Sequence, residues 1–184
     1  MQLRQASTKP LCHLLIPVVS MTTRQELSCL CHAMQHAKNV VIMVLDLYRT
    51  HSNLVCLHIR KTDFDVRNIS TDMMSSVEAA NTIARKKGLS QFIIFGDDQE
   101  FMQNMSRTIV EIGKWEKDAV LVSKFEDYID LYISSKLCDA FLITAVTSTF
   151  GWWLAFFAPG QDAIYYMPDT RIHGDKRPSK DLFL

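Results

Sequence analysis

The sequence has no excess of charge of either sign. Its 20 basic and 20 acidic side chains balance to a formal charge of zero. That excludes a broad electrostatic footprint for nucleic acid or an anionic membrane surface, so any anion site must be local. No apolar run approaches the roughly 20 residues that span a bilayer, and Val40–Leu47 is short and contains Asp46. Cysteines are few: Cys12, Cys29, Cys31, Cys56 and Cys138 make an odd set with no dense framework. Cys29-Leu30-Cys31-His32 holds metal-ligand residue types, but no second spaced pair completes a tetrahedral set. It reads as helix packing, and no metal site is assigned. Repeats, low-complexity tracts, Gly/Ser linkers and a Gly-rich Walker loop are all missing.

What is present is an ordinary globular composition, 48% hydrophobic and 22% charged, in 184 residues. That is enough for one domain with a real core. Arg4 and Lys9 precede Leu11–Val19, a faint likeness to a signal-peptide apolar region. His13 and Pro17 interrupt it, so the reading is a buried strand or loop. Residues 1–53 form a poorly patterned N-terminal segment with a helix over Gln25–Lys38, while Val40–Tyr48 fits a strand or a helix. From residue 54 onwards, β-like and helical runs alternate. Strands are expected at Leu54–Ile59, Phe92–Phe95, Ala119–Val122, Ala140–Thr144 and Ala163–Tyr166. Helices are expected at Asp72–Lys87, stopped by Gly88, at Gln99–Ile112, ending near Gly113, at Glu126–Ser135 and at Ser148–Phe157. The third helix gathers Tyr128, Leu131 and Tyr132 on one side. Strand–helix alternation with near-continuous apolar strands predicts an α/β fold: a parallel, Rossmann-like sheet with helices on both faces.

Three blocks follow strands, where open parallel sheets bind ligands. In the first, His58 and Arg60 are two apart and point to one side of an extended chain. Arg60 offers a planar fork suited to two phosphate oxygens, and His58 could bond a ribose or base edge. A surface pair of Arg60 with Asp63, beside a His58 satisfied in the strand, is the favoured reading of this block taken alone. In the second, Asp97 and Asp98 could accept from a guanine edge or ribose, hold a divalent metal, or cap the helix at Gln99. In the third, Thr147, Ser148 and Thr149 stand where a helix should start, a ready site for phosphate. Gly151 would permit close approach. Trp152, Trp153, Leu154, Phe156 and Phe157 read as core packing rather than a sugar platform. Asn68-Ile69-Ser70 and Asn104-Met105-Ser106 are candidate N-glycosylation sites. Arg171, Lys176, Arg177 and Lys180 form a modest basic run in a tail that reads as solvated.

Together the blocks resemble the α-1,2-fucosyltransferase family, glycosyltransferase family eleven, especially its nematode-type members. The family pattern His-x-Arg-Arg-Gly-Asp-Phe/Tyr, Phe-Ser/Gly-Asp-Asp and Ser/Thr-x-Phe-Gly-Trp-Trp-Leu-Ala is matched by His58–Phe64, Phe95–Asp98 and Ser148–Ala155. Asp130-Leu131-Tyr132, Cys138–Ala145, Gly174-Asp175 and Pro178–Asp181 are similar as well, so the likeness covers about residues 54–184. The resemblance implies that these residues are the C-terminal, GDP-sugar-binding half of a GT-B fold. It also implies inverting transfer of L-fucose from GDP-fucose to the 2-hydroxyl of a terminal galactose, without a required cofactor. Arg60 would meet the diphosphate. His58, Lys61, Asp97, Asp98, Ser148, Thr149, Phe150 and Gly151 would bind the donor, and Asp63 is a weak candidate base. The implied partners are GDP-fucose and a galactose-terminated glycan, in the Golgi, with membrane contact only through an anchor that this sequence does not contain. The oligomeric state is left open. Lys61 and Thr62 depart from the family's second Arg and its Gly. Only 57 residues precede His58, so the expectation includes a fragment or a catalytically inactive GDP-sugar-binding remnant.

Overall fold

The computed structural model describes residues 53–168. The readings made above for residues 1–52, including Cys12, Cys29, Cys31 and the helix over Gln25–Lys38, lie outside that range. So do the basic run and the family-like stretches after residue 168.

The described chain runs β1 (Leu54–Ile59), α1 (Thr62–Asp65), α2 (Met73–Lys87), β2 (Gln91–Gly96), α3 (Gln99–Gly113), β3 (Val120–Val122), α4 (Asp127–Leu137), β4 (Cys138–Ile143), α5 (Thr149–Phe157), a 3-10 turn (Gln161–Ala163) and β5 (Ile164–Tyr166). Helix ends follow the punctuation in the sequence. The Asp72 carboxylate accepts from Ser75 N at 2.9 Å to start α2, and Gly88 closes it in the left-handed conformation at φ +69°. Asp98 starts α3 in the same way, accepting from Phe101 N at 2.9 Å. That helix runs one residue further than expected. Gly113 stays helical beneath Trp115 and Asn81, and Lys114 takes the left-handed cap at φ +59°.

All strand pairs are parallel, in the order β3-β2-β1-β4-β5. The chain builds outward from β1 to β3, returns to the other side of β1, and builds outward again. Right-handed crossovers then place α2 and α3 on one face and α4 and α5 on the other. Accordingly α2 packs on α3 and α4 on α5. Val55, Leu57, Ile59, Phe92, Ile94, Ala140 and Leu142 share one core with Val77, Ala80, Ile83, Met102, Met105 and Ile109. The intervening Leu54, Cys56, His58, Ile93, Phe95, Phe141 and Ile143 are equally buried, and by the two-residue period they point to the other face. Burial on both faces is why the strands read as apolar runs. No described helix is long and apolar enough to cross a membrane.

The shared side of Tyr128 and Tyr132 on α4 is the outward one, the buried side being Ile129, Asp130, Ile133, Ser134 and Leu137. One orientation differs from expectation. On α5 only Gly151, Leu154 and Ala155 are buried, whereas Trp153, Phe156 and Phe157 are 55%, 44% and 47% exposed and pack on one another. Both helices lack a clean apolar stripe, so composition alone does not say which side turns inward.

A feature that cysteine counting did not anticipate is a disulfide between Cys56 on β1 and Cys138 on β4, with Cα atoms 5.5 Å apart. Both residues are fully buried. The cross-link closes a loop of 82 residues, for which chain entropy predicts a stabilisation of about 4.5 kcal/mol. Peptide mapping without reductant should recover the Cys56–Cys138 pair. Reduction, or a Cys56→Ala/Cys138→Ala variant, should lower the urea midpoint of a still-folded protein, and an unchanged midpoint would refute the link's stabilising role.

Candidate functional site

Beyond the carboxyl ends of β1 and β4 the chain leaves in opposite directions, towards β2 from one and β5 from the other. This is the topological switch point at which open α/β sheets hold ligands. A cleft of about 470 Å³ lies there. His58, Ile59, Arg60, Asp63, Phe64 and Arg67 form one wall, and Gly96 and Asp97 the floor beside it. Thr147, Ser148, Thr149 and Phe150 face them, with Asp127 from the start of α4. Three blocks separated in sequence thus meet in one cleft.

Arg60 is held as a fork: its Nε lies 2.8 Å from Asp63 Oδ1 and Nη2 lies 3.1 Å from Oδ2, while Asp97 Oδ2 is 3.5 Å from Nε. The Asp63 bond, reinforced by the nearby charge of Asp97, raises the guanidinium pKa, and the same bond to Arg60 lowers that of Asp63. The β1 end beneath is stiffened by hydroxyls. Thr144 donates from N and Oγ1 to the His58 carbonyl, at 3.3 and 2.5 Å. Its Oγ1 also lies 2.7 Å from Thr71 Oγ1, which accepts from Arg60 N at 3.1 Å. His58 is buried, its Nδ1 has no hydrogen-bond partner, and its ring meets Phe150 edge-on at 5.8 Å. Burial, with Arg60 nearby, lowers its pKa to about 3, so the imidazole is neutral. Opposite, Ser148 occupies the N-cap of α5 without a side-chain cap bond, and Thr147 Oγ1 is buried and unpartnered. A helix start with free N–H groups beside an arginine fork is an anion site.

The sequence model of glycosyl transferase family 11 matches residues 23–183. The chain belongs to that family. Its relatives include a Caenorhabditis elegans protein described as a glycosyltransferase, 38% identical over 140 residues, covering 70% of this chain and 37% of that one. A Caenorhabditis elegans galactoside 2-alpha-L-fucosyltransferase is 31% identical over 116 residues, covering 60% of this chain and 31% of its own length. The chain therefore spans about a third of the length of these relatives. In fold it is similar to the crystal structure of POFUT1 in complex with GDP-fucose, with TM-score 0.54 and 12% identity, covering 70% of this chain and 45% of that chain. The Rossmann-like architecture expected from the sequence is the one observed.

Within this family 11 domain, the two adjacent aspartates separate. Asp97 turns back across the sheet: Oδ1 accepts from Lys61 N at 2.8 Å, and Oδ2 from Thr62 N at 3.1 Å and from the Thr62 hydroxyl. It caps α1 and backs Arg60, leaving little capacity for a ribose, a base or a metal. Asp98 caps α3 and does not line the cleft. Lys61 also falls outside the cleft wall. Its ammonium sits 2.6 Å from Asp65 and over the Phe101 ring, so only its backbone N–H serves the site. Asp63, expected as a weak base, is engaged by Arg60 and acts as its orienter. Among the described residues no group of three or more His, Cys, Asp and Glu side chains is arranged to hold a metal ion. Gly151 lies behind the wall, against His58. Asn68, at φ +53° after α1, and Asn104, on the outer side of α3, are both exposed. Sequence reasoning missed Asp127, which looks like any acidic residue in a first helical turn. Asp130, noted only as part of a family-like stretch and outside the cleft lining, has a buried carboxyl that accepts from the Ser123 hydroxyl and is raised to about 7 by burial.

Two outcomes follow from this geometry. Asp98→Ala should cost about 1 kcal/mol through loss of the α3 cap and leave nucleotide affinity unchanged in calorimetric titration. A loss of affinity would return Asp98 to the site. In pH titrations, His58 and Asp130 should oppose one another. His58, lowered from 6.5 to about 3, leaves the unfolded state holding the extra proton, so stability rises with pH across that window. Asp130, raised from 3.8 to about 7, leaves the native state holding it, so stability falls with pH across its window. Wild-type stability should therefore be nearly flat between those limits, and Asp130→Asn should expose a rising slope of roughly one proton. An equally flat profile in Asp130→Asn would contradict this assignment.

Proposed function

We propose that this chain is the donor-binding part of a galactoside 2-α-L-fucosyltransferase, with residues 54–184 as the domain that takes GDP-fucose. The observation that carries the reading is the convergence of the Arg60 fork and the α5 N-terminus on one switch-point cleft. Arg60 and the N–H groups at Thr149 and Phe150 would receive the diphosphate, with the Ser148 and Thr149 hydroxyls beside them. His58 and Asp127 would address the remainder of the nucleotide sugar. In the transfer, the galactose 2-hydroxyl oxygen bonds to fucose C1 as the bond from C1 to the β-phosphate oxygen breaks. GDP departs with the electron pair and the hydroxyl proton passes to a base. The guanidinium and the helix N-terminus supply positive charge where the leaving diphosphate gains negative charge.

A second reading, a GDP-sugar-binding remnant without transfer, is favoured by one observation. Of the carboxylates in the cleft wall, Asp63 and Asp97 are already engaged, which leaves Asp127. The relatives' names support the galactose acceptor. The buried disulfide and the surface positions of Asn68 and Asn104 support passage through an oxidising secretory compartment such as the Golgi lumen.

The test is thermal-shift titration of the purified chain with GDP, UDP and ADP, with and without EDTA, beside Arg60→Ala. At one hundred times its dissociation constant, GDP should stabilise the protein by about 2.7 kcal/mol. The effect should be GDP-selective, insensitive to EDTA and lost in Arg60→Ala. A folded protein that ignores GDP would sink the donor-site reading. Transfer of fucose to a galactoside by the same preparation separates the enzyme from the remnant.

A further inference from the structure

Gly151 lies in the first turn of α5, and a side chain there would collide with His58. A Cβ on Gly151 would lie 2.6 Å from His58 Nδ1, 3.0 Å from Cγ and 3.1 Å from Cε1. Those distances place the added atom over the face of the imidazole at Nδ1, so the first turn of α5 covers the ring there and Nε2 is the nitrogen away from it. The ring has little freedom to turn. Phe150 meets it edge-on at 5.8 Å, and the His58 carbonyl is pinned by both donors of Thr144. His58 is 1% exposed yet belongs to the cleft wall.

We infer that Gly151 is the positioning residue for His58: by presenting no side chain, it lets the imidazole close Nδ1 against α5 and offer Nε2–H to the nucleotide sugar as a neutral donor. The inference rests on the GDP-sugar reading of the cleft. The tautomer follows from hydrogen bonding. Nδ1 is buried without a partner beneath the first turn of α5. An N–H buried there would be a donor with no acceptor, so the proton resides on Nε2. A neutral N–H suits a phosphate or ribose oxygen and adds no charge to a site already served by Arg60. Burial keeps the ring from protonating near neutral pH.

The test combines long-range nitrogen–proton NMR of the imidazole with GDP titration by calorimetry, on wild type, Gly151→Ala, His58→Ala and the double variant. The wild-type ring should show the neutral Nε2–H pattern. Gly151→Ala should shift that pattern and weaken GDP binding at least tenfold. It should lower the melting temperature in the presence of His58 and much less in the His58→Ala background, where the ring is gone. Gly151→Ala that fails to fold while the double variant folds supports the same coupling. An Nδ1–H or charged ring in wild type would overturn the inference. So would Gly151→Ala with unchanged ring signals and GDP affinity, or equal destabilisation in both backgrounds. Wild type that binds no GDP overturns the ligand part together with the donor-site reading. The tautomer and the double-variant comparison decide the positioning part independently.

Discussion

The carboxylate of Asp97 holds the site together. It leaves the end of β2, crosses to the chain emerging from β1, and accepts two backbone N–H groups and a hydroxyl from Lys61 and Thr62. Bonds to a charged acceptor are about twice as strong as neutral ones, and here they fix the start of α1. With α1 fixed, Asp63 falls one turn after Arg60 and Phe64 packs against Ile69 and Ala145. The arginine fork is therefore aimed by a residue from a different strand. Thr62, where the family pattern has glycine, contributes its hydroxyl to the same carboxylate, so the substitution adds a bond at the point where it removes flexibility.

The electrostatics of the cleft are those of exchange rather than of a bare positive pocket. Arg60 already faces Asp63 and, further off, Asp97. A partly exposed ion pair of this kind is worth roughly 0–1 kcal/mol, so an incoming anion displaces it at little cost. Among the described residues no carboxylate is bonded to the start of α5, and its N–H groups together with the orphaned Thr147 hydroxyl constitute an unmet demand for acceptors. One side of the cleft is thus pre-neutralised and exchangeable, while the other awaits a ligand.

Much of this was legible in the sequence because the determinants are local or periodic. Strands buried on both faces must be apolar throughout, and Asp72, Asp98 and Gly88 mark helix ends by their own chemistry. The meeting of the three blocks was legible because each follows a strand, and parallel strands deliver their carboxyl ends to one edge. What stayed hidden depends on distant partners. Adjacent aspartates look alike until the fold sends Asp97 to α1 and Asp98 to α3. The four-residue α1 exists because Asp97 caps it from another strand, and no periodicity announces a single turn. The outward rotation of Trp153, Phe156 and Phe157 was invisible because α5 is apolar on almost every side.

The Cys56–Cys138 link has a temporal consequence. Its two sulfurs belong to neighbouring strands, yet the ribosome delivers them far apart, with β2, β3 and four helices made in between. Cys56 cannot take its native partner until the return crossover has been synthesised and β4 has docked beside β1. Oxidation of this pair is therefore a record of completed assembly: a nascent or truncated chain that stops before β4 cannot form the bond and is marked, chemically, as unfinished.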